Sequence, residues 1–284
     1  MGYNLCIVLH GESYRSGPQL SRTRGTDNYI KRQLLASKSH ISLINSLKEK
    51  GNNIDTILNT YKLNEKDDNN LINYYKKETH IVISQFHDSI FPGEGDFLNN
   101  MYDLVTPILN SYDFIFFIRI DLYLKKYCIQ NIILDTDKIQ FAHIDSNIEI
   151  QNLNSTNFNI CHHLMLIPKR FYNIITNKIM YNSIHQIRTN IINSGISINS
   201  VGLMINTTHI CSTDLGWNPL YIQVGRNYNN LYSTKGPYQM CVEYYYDNIE
   251  HKFIHDIDKT LKYWAPYLQT DTLDENLKLL NETF

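Results

Sequence analysis

The amino-acid sequence predicts an α/β fold, with a mostly parallel central sheet and helices on both faces. Two observations carry this. Through residue 125, strand-like and helix-like segments alternate, the order that builds parallel strands joined by crossover helices. The segment "IFFI" (115–118) is a continuous apolar run, as expected of a strand buried on both faces. Ligands of such sheets bind at the carboxyl ends of the strands. Three polar clusters fall at those ends: His10–Arg15, the stretch around His87 and Asp88, and Arg119–Asp121.

The first strand is "NLCIVLHG" (4–11), which ends at Gly11. Residues 27–51 read as a helix, with Asp27 as a cap, apolar residues at 34, 41, 44 and 47 on one face, and Gly51 as the stop. "NIDTILNTY" (53–61) is the second strand. "EKDDNN" (65–70) reads as a polar turn before a short helix, and "HIVISQF" (80–86) as the third strand. After the breaker cluster "FPGEGD" (91–96), residues 97–110 carry Leu98, Met101, Val105 and Ile108 on one helical stripe, kinked or shortened by Pro107. The fourth strand lies within "YDFIFFIRIDLYLK" (112–125). Beyond it the pattern loosens. Residues 138–144 and 159–168 read as strands, 169–195 as one or two helices ended by Gly195, 213–226 as loop, and the Tyr-rich tail from 231 as ending in a helix. With no repeat or linker, one domain is expected.

Composition narrows the class. The chain has 284 residues, 43% hydrophobic and 19% charged, which is the profile of an ordinary globular protein. A net charge of -2 offers no electrostatic basis for binding nucleic acid or an anionic membrane. Cys6, Cys128, Cys161, Cys211 and Cys241 are odd in number and form no C-x-x-C pair. That argues against a disulfide framework or a structural zinc and for a reducing, cytoplasmic compartment. "LCIVL" lacks the flanks of a signal peptide, "MGYNLC" lacks the Ser or Thr of a myristoylation signal, and no apolar run nears the roughly 20 residues of a membrane span.

The chemistry concentrates where strands end. Asp121, at the mouth of an apolar strand, is the type of ligand a hard divalent cation takes, and magnesium or manganese held there would neutralise a diphosphate. Arg119 has the charge of a phosphate or carboxylate partner. The same two residues also read as an Arg–Asp pair that closes the strand end. In "HGESYRSG" (10–17), Gly11 permits close backbone approach, Ser13 is a donor and Arg15 suits phosphate, yet the stretch matches neither a P-loop nor a nucleophile elbow. An ordinary strand-to-helix loop is the alternative. Of His162 and His163, neighbours in a strand, at most one faces a given site, as a base or as a buried structural histidine. Residues 208–226 combine His209, a possible metal or diphosphate ligand, Asp214, a possible base, Trp217 for sugar stacking, and Arg226. They read equally as a turn-rich loop anchored by Trp217.

The Arg-x-Asp in "DFIFFIRIDLYL", the opening "VLHGESYR", the Ser-His helix "ASKSHISLINSLKEKG" and the late "STDLGWNPLYIQVGR" together resemble GT-A-fold glycosyltransferases of the capsule and lipopolysaccharide type or of large DNA viruses. The resemblance spans most of residues 5–226. It implies a GT-A-like, Rossmann-like domain over 1–284, with a nucleotide-sugar half (1–125), an acceptor half (126–230) and a C-terminal extension (231–284). It implies a nucleotide-diphosphate sugar such as a UDP-sugar as donor, a glycan or other hydroxyl as acceptor, and a divalent cation, Mn2+ or Mg2+. His10, Gly11, Ser13, Arg15, Arg119, Asp121 and Arg226 would bind the donor. Asp121 and His209 would hold the metal, and His163 or Asp214 would act as base. A viral member would work in the host cytoplasm. Arg119 stands where the family's motif has its first Asp, which leaves one carboxylate fewer for a metal. Two other functions remain open on the residues: a metal-dependent phosphoester or acyl hydrolase using Asp121, His162, His163 and His209, and an inactive nucleotide- or carbohydrate-binding module.

Overall fold

A computed structural model describes residues 2–14, 25, 29–88, 94–124, 126–141, 144–145, 159–160, 163–176, 198–200, 221–223, 244–247 and 252–255. Its elements in chain order are β1 (Asn4–Gly11), α1 (Tyr29–Glu49), β2 (Asn53–Tyr61), α2 (Glu65–Lys76), β3 (His80–His87) and α3 (Glu94–Val105). A 3-10 turn (Thr106–Ser111) leads to β4 (Phe114–Arg119), β5 (Leu122–Leu124), α4 (Lys126–Asn131), β6 (Ile139–Phe141), β7 (Ile144–Asp145), β8 (Asn159–Ile160) and β9 (Leu164–Pro168). A short 3-10 turn (Lys169–Phe171) then precedes α5 (Asn173–Thr176), β10 (Ile198–Ser200), β11 (Tyr221–Gln223), β12 (Tyr244–Asp247) and β13 (Lys252–His255).

Seven strands form the central sheet in the order β10-β6-β9-β4-β1-β2-β3. β1 pairs in parallel with β2 and β4, β2 with β3, and β10 with β6, while β9 runs antiparallel to both its neighbours. This is the mostly parallel α/β sheet that the sequence predicts. Alternate residues of each strand feed two cores. Leu5, Ile7, Leu9, Phe114 and Phe116 pack with α1, α2 and α4 on one face. Cys6, Val8, Ile57, Ile115 and Phe117 pack with α3 and α5 on the other. Strands buried on both sides explain the continuous apolar runs.

Several expectations change in detail. Residues 65–70 are helical: Asn64 caps α2 by accepting from the Asp67 N–H at 2.9 Å, and Glu65, Asp67 and Asp68 occupy the first turn, where acidic groups complement the helix dipole. A cluster that reads as a polar loop is therefore an N-terminal helix signal. Pro107 shortens α3, which passes into the 3-10 turn at Thr106. In α1 the buried stripe runs through Gln33, Ser37, His40, Ile44 and Leu47, whereas Leu34 is 39% exposed. Polar side chains face inward at the start of that stripe because each has a partner there: Gln33 bonds the loops at the carboxyl rim, and Ser37 accepts from Gln33 and from the Tyr75 hydroxyl. Most of the expected helix at 169–195 lies outside the described residues, as does the end of the tail.

Candidate active site at the carboxyl rim

Four parallel strands deliver their carboxyl ends to one rim. Register places Gln85 (β3), Asn59 (β2), His10 (β1) and Arg119 (β4) directly opposite one another in a row. Opposed residues in a sheet issue from the same face, here the face covered by α3. β9 continues the row, since Ile118 pairs with Leu164 and the Arg119 N–H donates to the His163 carbonyl at 3.0 Å. His10, Arg119 and His163, far apart in the chain, thus stand side by side. His10 and His163 are buried, and the His10 ring lies 6.1 Å from that of Phe97 at the start of α3.

Arg119 and Asp121 meet directly. Nε donates to Oδ1 at 2.9 Å and Nη2 to Oδ2 at 2.7 Å, the bidentate geometry of the strongest ion pairs. The Asp121 side chain is 1% exposed and that of Arg119 is 16% exposed. The pair adjoins the N-terminal loop, because the Ile120 N–H donates to the His10 carbonyl at 2.7 Å. The Arg–Asp pair that the sequence offers at this strand end is present, beside the loop after β1.

The β1 loop is braced from two sides. Gly11 has φ +103°, and no atom of the described residues lies within 4 Å of where its Cβ would stand. The Thr60 hydroxyl donates to the Gly11 carbonyl at 2.7 Å and accepts from the Ser13 N–H at 3.0 Å. Ser13 is buried, and its own hydroxyl donates to the Tyr61 carbonyl at 3.4 Å. Gln33 of α1 joins this loop to the next: its Oε1 accepts from the Tyr14 N–H and its Nε2 donates to the Ile120 carbonyl, both at 3.0 Å.

Behind Asp121, the helix holds β5. The Ser39 hydroxyl accepts from the Leu124 N–H at 2.8 Å. His40 Nδ1 lies 2.7 Å from the Tyr75 hydroxyl, which donates to Ser37 at 3.0 Å. Burial pulls the His40 imidazole down to about 4, although a hydrogen bond to the Leu122 backbone and the Asp121 charge both favour its protonation. His40 is therefore neutral near pH 7. At the other end of the row, His87 Nε2 lies 2.7 Å from Asn59 Oδ1, and burial lowers the pKa of His87 as well. Asn59 Nδ2 and Gln85 Oε1 are buried without a hydrogen-bond partner among the described residues.

Of the sequence-predicted site residues, the structure gathers His10, Gly11, Ser13, Arg119, Asp121 and His163. Arg15, His162, His209, Asp214, Trp217 and Arg226 lie outside the described residues. Gln33, Asn59, Thr60 and Gln85 were not singled out by sequence reasoning. Asn59 and Thr60 carried a signal, as polar residues closing an apolar strand, but Gln33 on a helix carried none. Among the described residues, no group of three or more His, Cys, Asp or Glu could hold a metal, and no helix is long and apolar enough to cross a membrane.

No protein-family model and no curated protein sequence matches the chain. Solved structures align with it at low identity. A proposed nucleotide-diphospho-sugar transferase from Desulfovibrio desulfuricans G20 aligns with TM-score 0.43 and 11% identity, over 93% of this chain and 96% of that one. The inositol-1-phosphate CTP transferase from T. maritima aligns with TM-score 0.41 and 11% identity, over 71% and 86%. A glycosyltransferase involved in glycosylation of the major capsid of PBCV-1 aligns with TM-score 0.33 and 8% identity, over 69% and 81%. All three are named as transferases. Likenesses of this strength carry no functional argument, and the fold stands on its own strand order.

Proposed function

We propose that this protein transfers a sugar from a nucleotide-diphosphate donor, such as a UDP-sugar, to a hydroxyl of a glycan or related acceptor. One observation carries the reading: the glycine-bearing loop after β1 and the Arg119–Asp121 turn after β4 converge on the carboxyl rim of a parallel sheet. A transferase of this class must stabilise a departing diphosphate and position an acceptor. Arg119 supplies a permanent cation at the rim, and among the described residues nothing within 4 Å of the Gly11 Cβ position bars a ligand from the backbone. His163 stands next to Arg119 in the row and is the base candidate on this rim if the reaction inverts. Asp214 and Arg226 would complete the acceptor and donor contacts.

The test is turnover of a nucleotide-sugar panel, read as release of the nucleoside diphosphate with and without Mn2+. The expected result is release from one or a few donors, reduced at least tenfold by Arg119→Gln. Saturable binding of nucleotides with no release from any donor would instead identify the binding module. Phosphoester hydrolysis without nucleotide binding would identify the hydrolase.

A further inference from the structure

The geometry points to Asp121 as the anchor of the Arg119 guanidinium rather than as a metal ligand, so that the donor diphosphate is met by a held cation with no divalent ion at Asp121. This rests on the nucleotide-sugar reading above. Both Asp121 oxygens already accept hydrogen bonds from Arg119, and the carboxylate is 1% exposed against 16% for the guanidinium side chain. The pair therefore presents its positive member to the rim and keeps its negative member inside. A hard divalent cation such as Mg2+ needs carboxylate lone pairs aimed at it from about 2.0–2.1 Å and several further oxygen ligands. At Asp121 it would compete with a +1 group for the same two oxygens.

The local charge balances without an ion. Two carboxylates with a divalent cation sum to zero, and so do one guanidinium and one carboxylate. Arg in place of the first acidic residue changes the local charge by +2, which is the charge the ion would have brought. The fork is also aimed without an ion. Gln33 holds the Ile120 carbonyl, the His10 carbonyl holds the Ile120 N–H, and the His163 carbonyl holds the Arg119 N–H. Three elements thus set the backbone that carries Arg119, and Asp121 sets its side chain.

Asp121 is on this account a positioning residue, and the test separates that role from a structural one. Calorimetric titration of the full chain with UDP and with GDP in EDTA is expected to show saturable binding. Arg119→Gln should weaken it at least tenfold, Asp121→Asn by a similar factor, and the double variant no more than either single one. A Mn2+ titration, followed by the paramagnetic resonance of the aqueous ion, should give the same isotherm for the native chain and Asp121→Asn. Nucleotide binding that requires Mn2+, or a Mn2+ site lost in Asp121→Asn, would overturn the inference. If neither nucleotide binds under any condition, the transferase reading fails and the Mn2+ isotherms alone decide the role of Asp121. Should Asp121→Asn not fold, nucleotide affinity in EDTA that is unchanged by Arg119→Gln would overturn the inference on its own.

Discussion

Acid should loosen this protein in part through His40. The side chain is fully buried between α1, Tyr75 and β5, and its pKa falls from 6.5 to about 4 in the folded state. In the unfolded chain the imidazole takes a proton as the pH drops through 6.5, whereas the folded protein excludes that proton until about 4. Stability is therefore fully present above pH 6.5 and is lost progressively as the pH falls toward 4. Each pH unit in that window is worth about 1.4 kcal/mol. Between pH 7 and pH 5 only the stretch below 6.5 counts, about 1.5 units, so His40 alone removes about 2 kcal/mol. Urea denaturation of the native chain and of His40→Gln at both pH values isolates it, because the other titrating groups are common to both proteins. Gln keeps a polar atom for Tyr75 but cannot titrate. The native chain should lose about 2 kcal/mol more than the variant between pH 7 and pH 5. Equal pH dependence in the two proteins would refute the account of a desolvated imidazole behind Asp121.

Two substitutions probe the loops at the rim. Gln33→Leu removes the acceptor for the Tyr14 N–H and the donor to the Ile120 carbonyl inside the protein, and is expected to cost about 2–4 kcal/mol in chemical denaturation, with weaker UDP or GDP binding. Gly11→Ala meets no atom of the described residues within 4 Å, and its expected cost is backbone strain at φ +103°, about 1–2 kcal/mol in the same assay.

The fold was legible because it depends on local regularities. Continuous apolar runs in β1 and β4 announce strands buried on both faces, and the spacing of helices between the strands leaves little choice but a parallel sheet. Short elements were less legible. Asp67 and Asp68 look like loop residues until Asn64 is recognised as the cap that turns them into a helix start. Leu34 looks like core, yet Gln33 beside it is the buried residue, because hydrogen-bonding partners inside the protein outweigh one apolar side chain.

By itself the sequence determined which residues end the strands: His10, Gly11, Arg119 and Asp121 must reach one rim once their strands run parallel. It also offered the Arg119–Asp121 pair as one reading, whereas only tertiary structure brought the remaining partners together. Register set His10, Arg119 and His163 in a row, α1 supplied Gln33 and His40 from the rear, and burial closed Asp121 onto Arg119. The physical reason is that periodicity reports only which face a side chain takes, while pairing and desolvation depend on neighbours tens of residues away in the chain.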